Sequence, residues 1–300
     1  ARPCQGARCV HAVLSQDYPS LRLIVVDDQS SDETSELARR AGGDDDRFSL
    51  VSIQSDGGSK KRALMKGIAA CDDDLLVFTD ADCVPDRAWV TNLVAAFSPD
   101  TVFVAGYSPY RPRTSLLGSL VALEAAANAV TAAGLVGLGM PTMCTARNMA
   151  YRRSAYERAG GLGPIAHIPS GDDTLMLQRI APFGDVVYAT DPRTHVPTAP
   201  PANFRAWVRQ KSRHLSTIFR YSPSQLISAV LSRSMDVLVG LGIPALLLGL
   251  VGGPARPVRL LDSVVGRGHE RSDALRHPEF AILVRFEIVG VPEQVGVHLG

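Results

Sequence analysis

An α/β fold with a mostly parallel sheet and helices on both faces is what this sequence predicts, and three observations carry the prediction. Short apolar runs rich in β-branched residues alternate with helical stretches across residues 21–107. Two of these runs, LRLIVVDD (21–28) and DLLVFTDAD (74–82), end in aspartates, as buried parallel strands do where they meet the loops at a sheet's carboxyl edge. The chain of 300 residues is 46% hydrophobic and 20% charged, which is ample for a core and excludes global disorder or a collagen-like repeat.

The elements follow in order. Residues 7–18 read as a short helix ending at the turn Asp17-Tyr18-Pro19. The first strand is 21–28. Ser30, Ser31 and Asp32 offer N-caps to the helix DETSELARRAG, which Gly42-Gly43 stops. FSLVSI (48–53) is a second strand, KKRALMKGIAAC (60–71) a second helix and 74–82 a third strand. Trp89 to Phe97 reads as a further helix and TVFVAGY (101–107) as a further strand. In such sheets ligands bind beyond the carboxyl ends of the strands. Asp27, Asp28, Asp80 and Asp82 all fall there. The triplets Asp44-Asp45-Asp46 and Asp72-Asp73-Asp74 sit between elements instead, where short polar side chains favour turns.

Charge is spread unevenly beneath a formal net charge of +1. That near-neutral balance argues against a nucleic-acid binder. Residues 27–86 hold 15 of the 30 acidic residues, whereas 203–235 carry six Lys/Arg and no acid. After that basic flank come 19 uncharged residues, Val237 to Ala255. As a helix they would reach about 28 Å, close to a hydrocarbon core of about 30 Å. Two readings stand, a membrane-spanning or membrane-embedded helix within 225–253 and a buried core helix, and Gly240, Gly242 and Pro244 weaken both. If the segment spans a membrane, the basic flank keeps the preceding domain cytoplasmic. A second charge gap, Ala125 to Ala146, is rich in Ala and Gly and reads as a packed or interfacial helix.

The five cysteines, Cys4, Cys9, Cys71, Cys83 and Cys144, form no CxxC pair, which fits a reducing cytosol and neither a disulfide framework nor a zinc site. Neither a P-loop nor a strand-borne GxGxxG occurs, since GLVGLG (134–139) lies in the apolar region without a strand before it. His195 could ligate a metal, although a single His before Val196-Pro197 is more often structural.

Two carboxylates spaced i, i+2 at a strand end, as Asp80 and Asp82 are, can share a hard divalent cation that also binds substrate phosphates. Five segments set that pair in a wider pattern: QDYPSLRLIVVDDQSSDET (16–34), SKKRALMKGIAACDDDLLVFTDADCVP (59–85), ARNMAYRRSAYERAGGL (146–162), SGDDTLMLQRI (170–180) and RQKSRH (209–214). In this order they resemble the family 2 glycosyltransferases, membrane-associated inverting enzymes of GT-A fold that use nucleotide sugars. The resemblance runs from about Ala1 to Tyr221. It implies a GT-A catalytic domain over 1–222 that lacks its first strand, then a transmembrane or membrane-embedded segment over 225–253. The tail over 254–300 holds one strand-like run, FAILVRFEIVGV (280–291), and the sequence suggests no role for it.

The resemblance also implies residue roles. Asp27 and Asp28 would contact the nucleotide, and Lys60 would lie near it. Asp80 and Asp82 would hold Mg²⁺ or Mn²⁺ against the diphosphate of a UDP- or GDP-sugar. Asp173, beside Asp172, would be the general base that deprotonates a lipid or glycan acceptor. Gly171-Asp172-Asp173 would equally cap the helix after it, and both roles can hold together. Lys60 has a plainer reading as an exposed lysine beside Lys61 and Arg62. Gln210 and Arg213, at i and i+3 on one helix, would bind the acceptor or diphosphate. His214 stands where the family usually has tryptophan. The family normally opens with a further strand and then an Asn and a Glu, where this sequence has Pro3 and Cys4, and Met65 stands where asparagine is common. These departures leave a second expectation beside the enzyme, a membrane-bound remnant that binds nucleotide without turnover.

Overall fold

The structure, a computed structural model, describes residues 3–28, 30, 33–53, 60–111, 115–168, 170–215, 230 and 280–286; the side chains of 3–4 and 213–215, and those of 280–286 other than Ile282 and Leu283, are outside that description. Among the described residues the helices are α1 (Pro3–Leu14), α2 (Thr34–Gly42), α3 (Lys60–Ala69), α4 (Trp89–Ala95), α5 (Leu116–Gly137), α6 (Arg153–Arg158), α7 (Thr174–Ile180) and α8 (Phe204–Leu215). The strands are β1 (Leu21–Asp27), β2 (Phe48–Ser52), β3 (Leu75–Asp80), β4 (Thr101–Gly106), β5 (Met149–Arg152), β6 (Asp185–Ala189) and β7 (Phe280–Phe286).

These strands form one sheet in the order β2-β1-β7-β3-β5-β4-β6. Every pairing is parallel except those of β5, which runs antiparallel between β3 and β4. The apolar runs at 21–28 and 74–82 become β1 and β3, whose side chains leave on alternate faces. Ile24, Val26, Leu76 and Phe78 pack under α3, α6 and α7. Leu23, Val25, Leu75 and Val77 pack under α1, α2 and α4 on the other face. Both faces are therefore covered, as a parallel sheet requires.

Several boundaries differ from the sequence reading for physical reasons. The N-cap of α2 is Glu33, which makes no side-chain cap bond; Ser31 and Asp32 lie outside the described residues. Gly43 does stop that helix, at φ +54° with its N–H on the Arg39 carbonyl. The 125–146 gap divides into the second half of α5 and a loop. Gly139 ends the helix at φ +72°, and Met140 N–H bonds back to the Leu135 carbonyl at 2.8 Å, an arrangement favoured at helix ends. The loop that follows leads to Arg147.

Helix α5 has a mean hydropathy of 1.6 over its most apolar stretch, only 22% of which is buried, and by length and composition it could cross a membrane. Leu123 and Val130 stand 56% and 57% exposed on it. Its one acid, Glu124, is buried, pairs with Lys211 and accepts a hydrogen bond from Trp207 Nε1 at 3.2 Å, so it ties α5 to α8. The expected apolar segment, 225–253, lies outside the described residues apart from Val230. The 254–300 tail, for which the sequence suggested no role, supplies β7 to the middle of the sheet. The sheet thus draws on residues beyond the expected boundary at 222.

Candidate active site

Three strand and helix ends meet at the carboxyl edge of the sheet. Asp27 closes β1 and is buried with Asp28. Its Oδ1 accepts the Ser30 backbone N–H at 3.1 Å, which fixes the carboxylate where the chain leaves the strand. Asp80 closes β3, and its carbonyl accepts Cys83 N–H at 3.0 Å. That tight turn brings Asp82 back beside Asp80. Burial and then repulsion from Asp80 push the Asp82 carboxyl above the usual carboxylate range, against the opposing pull of Arg147.

Arg147 was not singled out in the sequence. Burial works against its charge, yet the Asp80 and Asp82 carboxylates outweigh it and keep the guanidinium protonated. Its guanidinium lies 5.6 Å from the Tyr110 ring centroid, a cation–π distance. Its Nε is buried with no hydrogen-bond partner among the described residues. Tyr110 also accepts Gln210 Nε2 at 3.2 Å, so α8 reaches the aspartate edge through one aromatic ring. Thr198 Oγ1 approaches Asp82 Oδ2 at 3.5 Å. Arg213 and His214 lie on the same helix, with side chains outside the described set.

Lys60, the first residue of α3, joins this edge to the acid pair. Its Nζ sits 2.7 Å from Asp172 Oδ2, with the Asp172 side chain only 5% exposed. Burial disfavours its charge, but Asp172, Asp80 and Asp173 outweigh that and raise its pKa well above the ordinary value. The structure therefore sides against the exposed-lysine reading. Its neighbour Lys61 is buried and donates to the carbonyls of Ile168 and Ser170, the latter at 2.7 Å. This second lysine holds the loop between α6 and α7 that delivers the acid pair. Gly171 permits that loop's turn at φ +85°.

Asp173 is the N-cap of α7 and accepts Thr174 N–H at 2.6 Å. Burial, then repulsion from Asp172, raises its pKa, while Lys60 and the Thr174 N–H pull it down. A carboxylate raised in this way is a stronger base than one at the ordinary value. Leu64, Ala146, Met149 and Leu283 line the small cleft between Lys60, Asp80 and Asp172. The adjacent buried Asn148 secures this wall: its Oδ1 accepts Trp89 Nε1 at 3.0 Å, and its Nδ2 donates to the Tyr107 and Thr194 carbonyls at 2.8 Å each.

Asp80 and Asp82 fit a divalent cation in one respect, because their mutual repulsion is the imbalance that a shared hard ion relieves. Among the described residues no group of three or more His, Cys, Asp or Glu is placed to hold a metal, so such an ion would take its other ligands from substrate and water. His195 is packed edge-on to Tyr107 with ring centroids 5.1 Å apart. Burial pulls its pKa down, with Asp191 opposing. The described cysteines are free, and Cys9, Cys71 and Cys83 are buried.

Comparison with known proteins gives the family. The family model described as glycosyl transferase family 2 matches residues 7–160, just over half of the chain. Glycosyltransferase AglE of Haloferax volcanii is 32% identical over 101 residues, 33% of this chain and 33% of that protein. An N-acetylglucosaminyltransferase of Azorhizobium caulinodans is 33% identical over 96 residues, covering 31% and 24% of the two chains. Poly-β-1,6-N-acetyl-D-glucosamine synthase of Staphylococcus aureus is 31% identical over 114 residues, covering 37% and 27%. Each match spans a third or less of the relative's own length. Among solved structures, S. aureus TarS residues 1–349 with UDP-GlcNAc gives a TM-score of 0.49 at 10% identity, covering 77% of this chain and 67% of that one.

Proposed function

On the premise that this chain belongs to glycosyl transferase family 2, we propose that it is a GT-A enzyme moving a sugar from a UDP- or GDP-linked donor to a lipid or glycan acceptor with inversion. The observation that carries the reading is Lys60, which joins the aspartate edge of β3 to the acid pair before α7. Donor and acceptor halves of a transfer site need that convergence, since reacting groups gain most from being held together.

In this reading Asp27 and Asp28 bind the nucleoside, and the diphosphate lies between Asp82 and Arg147. The unpartnered Arg147 Nε supports the second assignment, because a buried donor needs an acceptor. Mg²⁺ or Mn²⁺ held by Asp80 and Asp82 would neutralise charge on the leaving diphosphate. Lys60 adds a fixed positive charge beside it. Asp173 accepts the acceptor hydroxyl proton, and Asp172, paired with Lys60, keeps the pair from carrying two uncompensated charges. Gln210 and Arg213 on α8, with His214 in place of the usual tryptophan, flank the acceptor.

The apolar, exposed side of α5 supports a site at a membrane surface, and the basic flank 203–235 supports a catalytic domain on the cytoplasmic side. With β7 in the same sheet, the uncharged segment 237–255 would enter and leave the membrane on that side rather than cross it once. Two of the relatives are named for N-acetylglucosamine transfer or polymerisation, so UDP-N-acetylglucosamine is the first donor to try. The test is a screen of nucleotide sugars on the purified full chain with membrane lipid extract and Mn²⁺, followed by mass analysis of products. A lipid or glycan gaining one hexose or N-acetylhexosamine, lost in Asp82→Asn and Asp173→Asn, supports the proposal. Nucleotide binding with no product from any donor would favour the remnant.

A further inference from the structure

The tail strand has no counterpart in the roles above. Strand β7 lies between β1 and β3, parallel to both, with seven registered pairs to β1 and six to β3. A parallel neighbour needs a long crossover connection, which residues 216–279 are long enough to supply. Ile282 is fully buried on the α1, α2 and α4 face, and Leu283 is 1% exposed on the α3 face. The apolar run FAILV (280–284) suits a strand covered on both sides.

Helix α3 is shaped to this strand. Gly67 sits in its middle, where glycine costs roughly 1 kcal/mol relative to alanine. A β-carbon there would stand 2.5 Å from Leu283 Cδ2 and 2.7 Å from Val26 Cγ2. The glycine is therefore explained by the close approach of α3 to β7 and β1. Leu283 also lines the cleft shared by Lys60, Asp80 and Asp172. The register ends with Arg285 opposite Asp80 and Phe286 opposite Asp27.

We propose that residues 280–286 are an intramolecular donor strand, required for the active site. They complete the sheet, supply Leu283 to the cleft, and hold the aspartate-bearing ends of β1 and β3 two strand spacings apart, roughly 9.5 Å. Removing β7 would leave either a split sheet or direct pairing of β1 with β3, and both would ruin the separation of Asp27 from Asp80.

Hydrogen exchange on the full chain tests this without any sugar donor. The proposal expects the amides of Ala281 to Arg285 to be protected as strongly as those of Leu23 to Val26 and Leu76 to Thr79. Exchange within seconds at 281–285, alongside protected β1 and β3, would overturn it. A double-mutant cycle supplies a second readout. Gly67→Ala should lower Tm, and part of that loss should disappear when Leu283 is also alanine, because the new methyl gains room. Strictly additive losses would mean that Leu283 does not seat against Gly67. Val284→Pro, which removes a ladder donor from a central strand, should abolish UDP binding while Val284→Thr keeps it. UDP binding retained by Val284→Pro would contradict the proposal even if transfer activity were never found.

Discussion

Replacing Lys60 by methionine keeps the length of the side chain and removes the charge shared by Asp80, Asp172 and Asp173. At 2.7 Å from Asp172, the gross attraction in an effective dielectric of about 20 is roughly 6 kcal/mol. Much of it is offset by desolvation, and the lysine is 28% exposed. Breaking a buried pair costs about 3–5 kcal/mol and a surface pair about 0–1. An intermediate loss of about 2 kcal/mol of stability is expected, seen as a Tm lower by roughly 3 °C. The pH profile carries the sharper information. Lys60 pulls the Asp173 pKa down, so its loss must raise that pKa further and move the acid limb of kcat/KM to higher pH. Lys60→Arg, which keeps the charge, should leave the limb in place. The assay is sugar transfer, or donor hydrolysis, measured from about pH 5 to 9. An acid limb that stays put or moves downward in Lys60→Met would refute the electrostatic link between Lys60 and Asp173.

Three further outcomes follow from neighbouring residues. Asp173→Asn should abolish transfer yet raise Tm at neutral pH. Its folded pKa lies above the ordinary value, so the ionised form carries a stability penalty that appears as pH rises through that pKa and is absent below about pH 3.9. Melting curves at pH 7 and pH 3.5 check this, with the gain confined to the higher pH. Asp82→Asn should reduce transfer by roughly 10²-fold or more and remove its saturation with Mn²⁺, measured by metal titration. Asn148→Ala should orphan the Trp89 indole N–H and two carbonyls. That amounts to about 3 kcal/mol, seen as a Tm lower by roughly 5 °C.

What could be read from the sequence and what could not divide along physical lines. β1 and β3 were legible because their apolar runs end in aspartates, and Gly43 was legible because only a residue tolerant of φ +54° stops α2 there. Asp27, Asp28, Asp80 and Asp82 could be singled out because they close apolar strands, whereas Asp172 and Asp173 stood out only through the order of the motifs, since capping alone explains an aspartate at a helix start. The cations could not be sorted. Lys60, Lys61 and Arg62 are adjacent and look alike, yet one pairs with Asp172, one is buried on backbone carbonyls and one is exposed. Burial of a charge depends on distant partners, which local pattern does not contain. Arg147 was hidden for the same reason, between two ordinary residues of a loop. The strand character of 280–286 was visible in its apolar run, but its place between β1 and β3 is a pairing across more than 200 residues. Periodicity has no access to such pairings.

The central claim is that one carboxylate performs the proton transfer in a site that binds the donor by other groups. The most direct measurement compares the full chain with Asp173→Asn, using UDP-N-acetylglucosamine, Mn²⁺ and lipid extract. Nucleotide affinity is read by calorimetry and the anomeric configuration of the product by NMR. The account predicts equal affinity, an inverted product from the unaltered chain and none from the variant. A variant that transfers sugar at the unaltered rate, or a product that retains its configuration, would contradict it.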